Sequence, residues 1–219
     1  MKSEKSYAII GLGRFGMPLA KTLAEAGEEV IGIDRDEERV KELREYTEYA
    51  FVANTLTKEV LVDVGVQNCD VAVVCIGDKI ETSILTTLNL INLGVPKVLA
   101  KATSAEQGEV LEKLGAKVVY PEKDMALRIA KKILSQNLVD FISLGKDIEI
   151  TEIEASSKMI GHSILEMKVR ERFGLNVIAI GHNGKTETEV DPRYLINEGD
   201  RIVVIGKPEK VSQFLEHYS

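Results

Sequence analysis

The chain is poor in the side chains that catalysis and metal binding draw on. Its 219 residues include three histidines and two cysteines. His162, His182 and His217 all lie late in the chain, and none has an acidic partner at an evident spacing. Cys69 and Cys75 are an even number of residues apart in CDVAVVCIG, so in a strand they would point to one face. No C-x-x-C spacing occurs, which removes the basis for a zinc or thioredoxin-type site. Two buried free thiols in a reducing compartment are expected. Long apolar runs are also missing: none approaches the ~20 residues of a membrane helix. The N-terminus, MKSEKSYAII, is too short and too charged for a secretory signal. Nor is positive charge in excess. A formal net charge of −7 argues against a binder of duplex nucleic acid, which needs a basic face. It leaves room for a local basic pocket. The expectation is a cytoplasmic protein with no nucleic-acid partner, tied to any membrane through a partner protein. Internal repeats and low-complexity segments are absent.

What is present is globular. The chain is 44% hydrophobic and 29% charged, enough for a core and a soluble surface. Its length allows one or two domains at roughly 150 residues each. Residues 6–13 are mostly apolar, as in a strand buried on both faces. A helical pattern runs from there to Gly27, with Pro18 in its first turns. Strands are then expected at 28–34, 49–54, 69–77, 97–102 and 116–121. Helices are expected at 36–46, 57–65, 79–94, 104–115 and 122–137, with Thr57 and Ser104 as N-caps and Gly94 and Gly115 as stops. Six strands alternating with helices predict an α/β fold, a doubly wound parallel Rossmann-like sheet. Each crossover is short, so no room is left for a substrate domain.

After residue ~138 the pattern changes. FISLGKDIEITEIEA (141–155) alternates with period two, and 159–174 holds one short helix ended by Gly174. NVIAIGH (176–182) is a strand, and Asn183-Gly184 is a type I′ hairpin turn. KTETEV and DRIVVIG (200–206) are further strands, and Pro208 opens a closing helix at 208–218. These make a smaller α+β subdomain. The expected division is 1–140 for a nucleotide-binding domain and 141–219 for a C-terminal subdomain.

The stretch GLGRFG (11–16) sits between the first strand and its helix. Gly11 permits the tight turn, Gly13 lets the backbone approach a pyrophosphate, and Gly16 lets helix and strand pack closely. The pyrophosphate would rest on the helix N-terminus. Asp34, about 20 residues on at the end of strand two, is placed to grip two ribose hydroxyls and to repel a 2′-phosphate. Together these features point to an adenine nucleotide. Arg14 has two readings. It is a solvated arginine at the positive end of a helix dipole, at a small cost, or an anion such as a further phosphate offsets that cost. Acid–base machinery for hydride transfer is scarce. Lys101, at the end of strand five, is the one placed candidate, and such a lysine also serves as a ligand contact or an exposed charge. The first domain therefore reads as a nucleotide sensor and not an enzyme. An NAD(H)-dependent oxidoreductase or redox sensor is the alternative.

IIGLGRFG with Asp34, ANT (53–55), CIG (75–77), LAKA (99–102) and YPEKDMALRIA (120–130) together resemble the RCK domain, the regulator of potassium conductance. GHSILEMKVRERFGLNVIAIG and DPRYLINEGDRIVVIG resemble its C-terminal subdomain. The likeness covers essentially the whole chain and is closest to the TrkA-type cytosolic regulatory subunits of Ktr potassium-uptake systems. It implies ATP or ADP, and in some members NAD(H), in the Rossmann cleft. Gly11, Gly13, Arg14, Phe15 and Gly16 would form the phosphate loop, with Arg14 on the terminal phosphate. Asp34 would hold the ribose, Asn54 and Thr55 would approach adenine, and Ile76, Gly77 and Lys101 would line the remaining wall. Asn54 stands where many members carry a carboxylate. Glu122 matches an acid that in the family helps hold a divalent or monovalent cation at a dimer interface; read alone, it is an acid favoured in the first turn of a helix.

The likeness further implies cyclic di-AMP at the C-terminal subdomain. Ile164, Met167, Val169, Val177, Ile178 and Ala179 would form apolar walls, Arg170 and Asn176 polar contacts, and Pro192 a rim. Without the likeness, the aliphatic positions read as ordinary core and Arg170 as an exposed helix charge. The partners implied are a membrane potassium-translocating subunit and further copies of the chain, paired and assembled into an octameric ring. ATP and ADP would favour different ring shapes, and cyclic di-AMP would act as a shut-off signal.

Overall fold

A computed structural model describes residues 5–135, 137–145 and 147–219. The chain divides into two compact units at Asp124/Met125. That division lies inside a helix, whereas position 140/141, where the sequence pattern changes, lies inside a strand.

The first unit is the doubly wound sheet expected. Strands β1 (Ser6–Ile10), β2 (Glu29–Asp34), β3 (Ala50–Val52), β4 (Val71–Val74), β5 (Lys97–Lys101) and β6 (Lys117–Val119) lie in the order β3-β2-β1-β4-β5-β6. All neighbours run parallel. Helices α1 (Gly16–Glu25), α2 (Glu37–Leu43), α3 (Lys58–Asp63), α4 (Ile80–Asn92) and α5 (Ala105–Lys113) make the crossovers. The pleat sends alternate residues into two cores. Ala8, Ile10, Ala72, Val74 and Ala100 pack on one side, and Ile9, Val73 and Val30 on the other. Caps set the helix starts. Thr57 accepts from the Val60 amide, Ser104 from the Gln107 amide, and Asp36 from the Glu38 amide.

The two cysteines do not share a face. Cys69 precedes β4, just after a 3-10 turn at Val66–Asn68, so strand alternation does not reach it. It packs with Ala72 and Val74, while Cys75 packs with Val73. Both are free and buried, and burial pushes the Cys69 thiol up to about 11 and the Cys75 thiol up to about 12. The thiolate is the reactive form. The folded protein at about pH 8 is therefore expected to resist iodoacetamide at both positions, with full labelling only after denaturation, as read by intact mass.

Helix α6 (Pro121–Leu134) spans the division, and position 136, within the expected helix, is outside the described residues. The second unit continues with an antiparallel sheet of β7 (Leu138–Leu144), β8 (Ile148–Glu154), β9 (Asn176–His182), β10 (Lys185–Glu187) and β11 (Arg201–Gly206), ordered β10-β9-β11-β8-β7. The alternating stretch 141–155 thus contributes to two strands, with a turn at Gly145, where φ is +78°; position 146 is outside the described residues. The single helix expected at 159–174 is two, α7 (Ile164–Met167) and α8 (Val169–Phe173). Lys168 between them is left-handed at φ +48°, which stops the first and redirects the second. Helix α9 (Pro208–His217) packs Phe214 edge-on to Phe173 in the core of this unit.

Candidate functional site

The loop after β1 turns sharply at Gly11, where φ is +98°. Gly16 meets it: a Cβ there would lie 1.9 Å from the Gly11 carbonyl oxygen, so any side chain collides with backbone. Gly13 is less crowded, and a Cβ there would meet only the Arg39 side chain at 3.9 Å. Helix α1 begins behind the loop with no side-chain cap on its first turn and no acid in it. Its leading N–H groups are available to an anion. Asp34 ends β2, buried, and accepts hydrogen bonds from the amides of Leu12 at 2.5 Å and Asp36 at 2.9 Å. It therefore ties the glycine loop to β2, and Arg39 stands 3.6 Å from the same carboxylate.

These elements border a cleft of about 900 Å³. Of the expected residues, Gly11, Gly13, Arg14, Phe15, Asp34, Asn54, Thr55, Ile76, Gly77, Lys101 and Glu122 line it. Gly16 does not; it sits behind the loop as a packing position. Six cationic side chains (Arg14, Arg35, Arg39, Lys58, Lys79 and Lys101) and three anionic ones border the cleft, in a chain whose net charge is −7. The local excess of positive charge suits an anionic ligand. Arg14 is exposed at the mouth, with no ion-pair partner among the described residues. Lys101 is largely buried and paired with Glu122 at 2.5 Å. That hydrogen bond holds the Glu122 carboxyl below the usual carboxylate range, with Arg14 adding to the pull.

Reading along the sequence missed the polar face of α4. Thr82, Thr86 and Asn89 all line the cleft, at i, i+4 and i+7. That spacing was available as a signal: a polar stripe along one face of the helix after the fourth strand. The Thr86 hydroxyl is buried with no hydrogen-bond partner among the described residues. Asn89 donates to the Leu56 carbonyl at 3.2 Å and so fixes the loop after β3 against α4.

The second unit carries a groove of about 430 Å³ between α7, α8, the start of β9 and the segment at 190–192. Of the residues expected there, Ile164, Val169, Arg170, Asn176, Val177 and Pro192 line it, together with Leu165, Lys168, Leu175, Val190 and Glu171, whose carboxylate lies 4.0 Å from Lys168. Met167, Ile178 and Ala179 do not line it. Met167 is turned into the core, Ala179 is buried, and Ile178 lies between Val177 and Ala179 at a break in the β9–β11 register. A capping box built from Ser163 and Glu166 sets the start of α7, which fixes Ile164 and Leu165 at the groove.

The histidines also differ from expectation. His182 does have an acidic partner. Its Nδ1 lies 2.5 Å from the carboxylate of Asp200, which is fully buried. Antiparallel pairing of β9 with β11 sets Arg201 opposite Gly181, and this brings the two side chains together across a gap that no fixed sequence spacing reveals.

Residues 7–121 match the TrkA-N domain family and residues 148–218 the TrkA-C domain family. The chain is 37% identical over 212 residues to the Ktr system potassium uptake protein C of Bacillus subtilis (strain 168), covering 96% of each. It is 36% identical over 212 residues to the Ktr system potassium uptake protein A of the same organism, again covering 96% of each. Among solved structures, the GsuK channel is similar in fold, with a TM-score of 0.67 at 17% identity. That match takes in 98% of this chain but 40% of the channel chain.

Proposed function

The chain belongs to the TrkA-N and TrkA-C domain family, and on that premise we propose that it is the cytoplasmic regulatory subunit of a membrane potassium transporter of the Ktr kind. The observation that carries this reading is the cleft of the first unit. An uncapped helix N-terminus, the buried carboxylate of Asp34 at the end of β2 and a surplus of cations border one cleft in an acidic chain. Such a site takes an adenine nucleotide through its phosphates. ATP and ADP differ by one phosphate, and Arg14, which borders the cleft with no ion-pair partner among the described residues, is the cation we assign to that difference. Each nucleotide need only bind one assembly more tightly than the other for the assembly to respond. Cyclic di-AMP occupies the second groove, whose aliphatic wall suits the bases and whose Lys168 and Arg170 suit the phosphates. Glu122 is already engaged by Lys101, and among the described residues no group of acidic, histidine or cysteine side chains could hold a metal ion, so a cation there would have to displace Lys101 and take its other ligands from a second copy of the chain.

Self-association has a physical basis in α6. Arg128 and Lys131 are tied to Asp140 and to the buried Glu149 of the adjacent hairpin. Lys131 also lies over the Phe141 ring. The helix thus turns its cationic arc to its own sheet and leaves Leu127, Ile129, Ile133 and Leu134 exposed, the last at 86%. An outward apolar face of this kind needs a partner. A second copy of the chain supplies one, within dimers that build an octameric ring. Ile133→Asp with Leu134→Asp is expected to shift the protein to smaller species in light scattering, with unchanged circular dichroism.

Equilibrium titration of the purified chain with ATP, ADP, NADH and cyclic di-AMP tests the reading. It predicts a competitive site for ATP and ADP and an independent one for cyclic di-AMP. Preference for NADH with turnover of a carbonyl substrate would replace it by the redox alternative.

A further inference from the structure

We propose that Asn89 is a positioning residue of the cleft in the first unit: by one hydrogen bond it latches the loop at 53–57 across the sheet and so shapes the wall that receives the base. The inference rests on the reading that this cleft binds an adenine nucleotide.

Strand order separates β3 from β4 by β2 and β1. The loop after β3 belongs to the half of the sheet that carries the glycine loop and Asp34, while α4 follows β4 in the other half. A doubly wound sheet takes its ligand in the crevice between those halves. Asn89 Nδ2 donates to the Leu56 carbonyl at 3.2 Å, and both residues line the cleft. This bond therefore ties one half of the sheet to the other along the wall of the crevice.

Phosphates on the glycine loop and a ribose at Asp34 leave the base to the segment beyond Asp34. That segment is the loop after β3, because the Ala53 amide donates to the Asp34 carbonyl at 2.9 Å. The far end of the loop is set by Leu56, whose side chain packs against the apolar core on that side of the sheet, and by Thr57, which caps α3. Between these anchors Asn54 and Thr55 are exposed, border the cleft and make no hydrogen bond among the described residues. Their placement depends on the two ends, and at the far end the polar tie to another element is the Asn89 bond.

The residue type supports positioning over packing. Asparagine is a poorer helix former than alanine or leucine, so α4 itself gains nothing from it. Apolar burial is non-directional, whereas a hydrogen bond fixes direction as well as distance. A loop that must present two side chains at a set angle is served by the second and not by the first.

The test compares Asn89→Ala and Asn89→Leu with the wild type, as full chains. Binding of ATP, ADP and inorganic pyrophosphate is measured by calorimetry, and hydrogen exchange of peptides covering 53–61 is followed without ligand. Both variants are expected to lose ATP and ADP affinity by the same factor, about three- to tenfold, the scale of one hydrogen bond. Pyrophosphate, which has no base, is expected to bind unchanged. Exchange is expected to rise at Ala53 and Leu61, whose amides bond to the Asp34 and Thr57 carbonyls on either side of the latch. Equal weakening of pyrophosphate would make Asn89 a support of the whole unit and overturns the latch. Recovery of ADP affinity in Asn89→Leu overturns it too, since volume alone would then suffice. Weaker ADP binding with unchanged exchange would make Asn89 a direct ligand contact, and unchanged ADP affinity would leave it no role; either result overturns the proposal. If the wild type binds neither nucleotide, the nucleotide reading fails, and exchange at 53–61 by itself then decides whether Asn89 holds the loop.

Discussion

Arg14→Ala is expected to lower ATP affinity by roughly ten- to a hundredfold and ADP affinity by no more than about threefold. A hydrogen bond to a charged group contributes about 1.5–3 kcal/mol, and 1.4 kcal/mol is a factor of ten. Arg14 borders the cleft, is exposed, and has no ion-pair partner among the described residues, so a phosphate competes only with the longer-range pull of Glu122. Three of the other five cleft cations are already paired, while Lys58 and Lys79 are not among the described ion pairs. Arg39 stands by Asp34 and Asp36, Arg35 by Asp78, and Lys101 by Glu122. The ratio of ATP to ADP affinity, read by competition, isolates this residue. Folding is untouched, because Arg14 is a surface side chain. An unchanged ratio would remove the arginine from the sensing role.

Gly16→Ala is expected to be the most damaging single methyl in the first unit. The added carbon would lie 1.9 Å from the Gly11 carbonyl oxygen and 3.2 Å from the Cys75 Cβ. No rotamer relieves a clash between a Cβ and a backbone oxygen, so the loop or α1 must move. The cost is about 3 kcal/mol or more, a shift of roughly 6–12 °C in the melting transition of a domain this size. Nucleotide binding is lost with it, because the Gly11–Gly16 approach is what forms the cradle. Gly13→Ala is the control. Its Cβ would find nothing nearer than the Arg39 side chain at 3.9 Å, so stability holds while the phosphate approach is hindered. Calorimetry with and without ADP separates the two effects.

The parallel sheet was legible because each of its strands is a short apolar run and each crossover ends in a readable cap or glycine. Strand order then follows from the doubly wound pattern. The glycine loop and the Asp34 that ties it to β2 were legible for the same reason, since local spacing marks both. What depends on pairing between distant strands was not. The His182–Asp200 contact needs the β9–β11 register. The separate faces of Cys69 and Cys75 depend on where β4 begins, which apolar composition does not mark. The break at Lys168 lies within a run that reads as one amphipathic helix, and only its left-handed backbone divides it. Met167 and Ala179 looked like groove walls because aliphatic side chains serve pockets and cores equally well; packing assigned both to the interior.

The measurement that tests the central claim most directly is potassium flux into proteoliposomes carrying the potassium-translocating membrane subunit of the same organism, with this protein added. The account predicts flux that differs severalfold between ATP and ADP, only when this chain is present, with the difference abolished by Arg14→Ala. Flux that is equal in the two nucleotides, or indifferent to the chain, would contradict it.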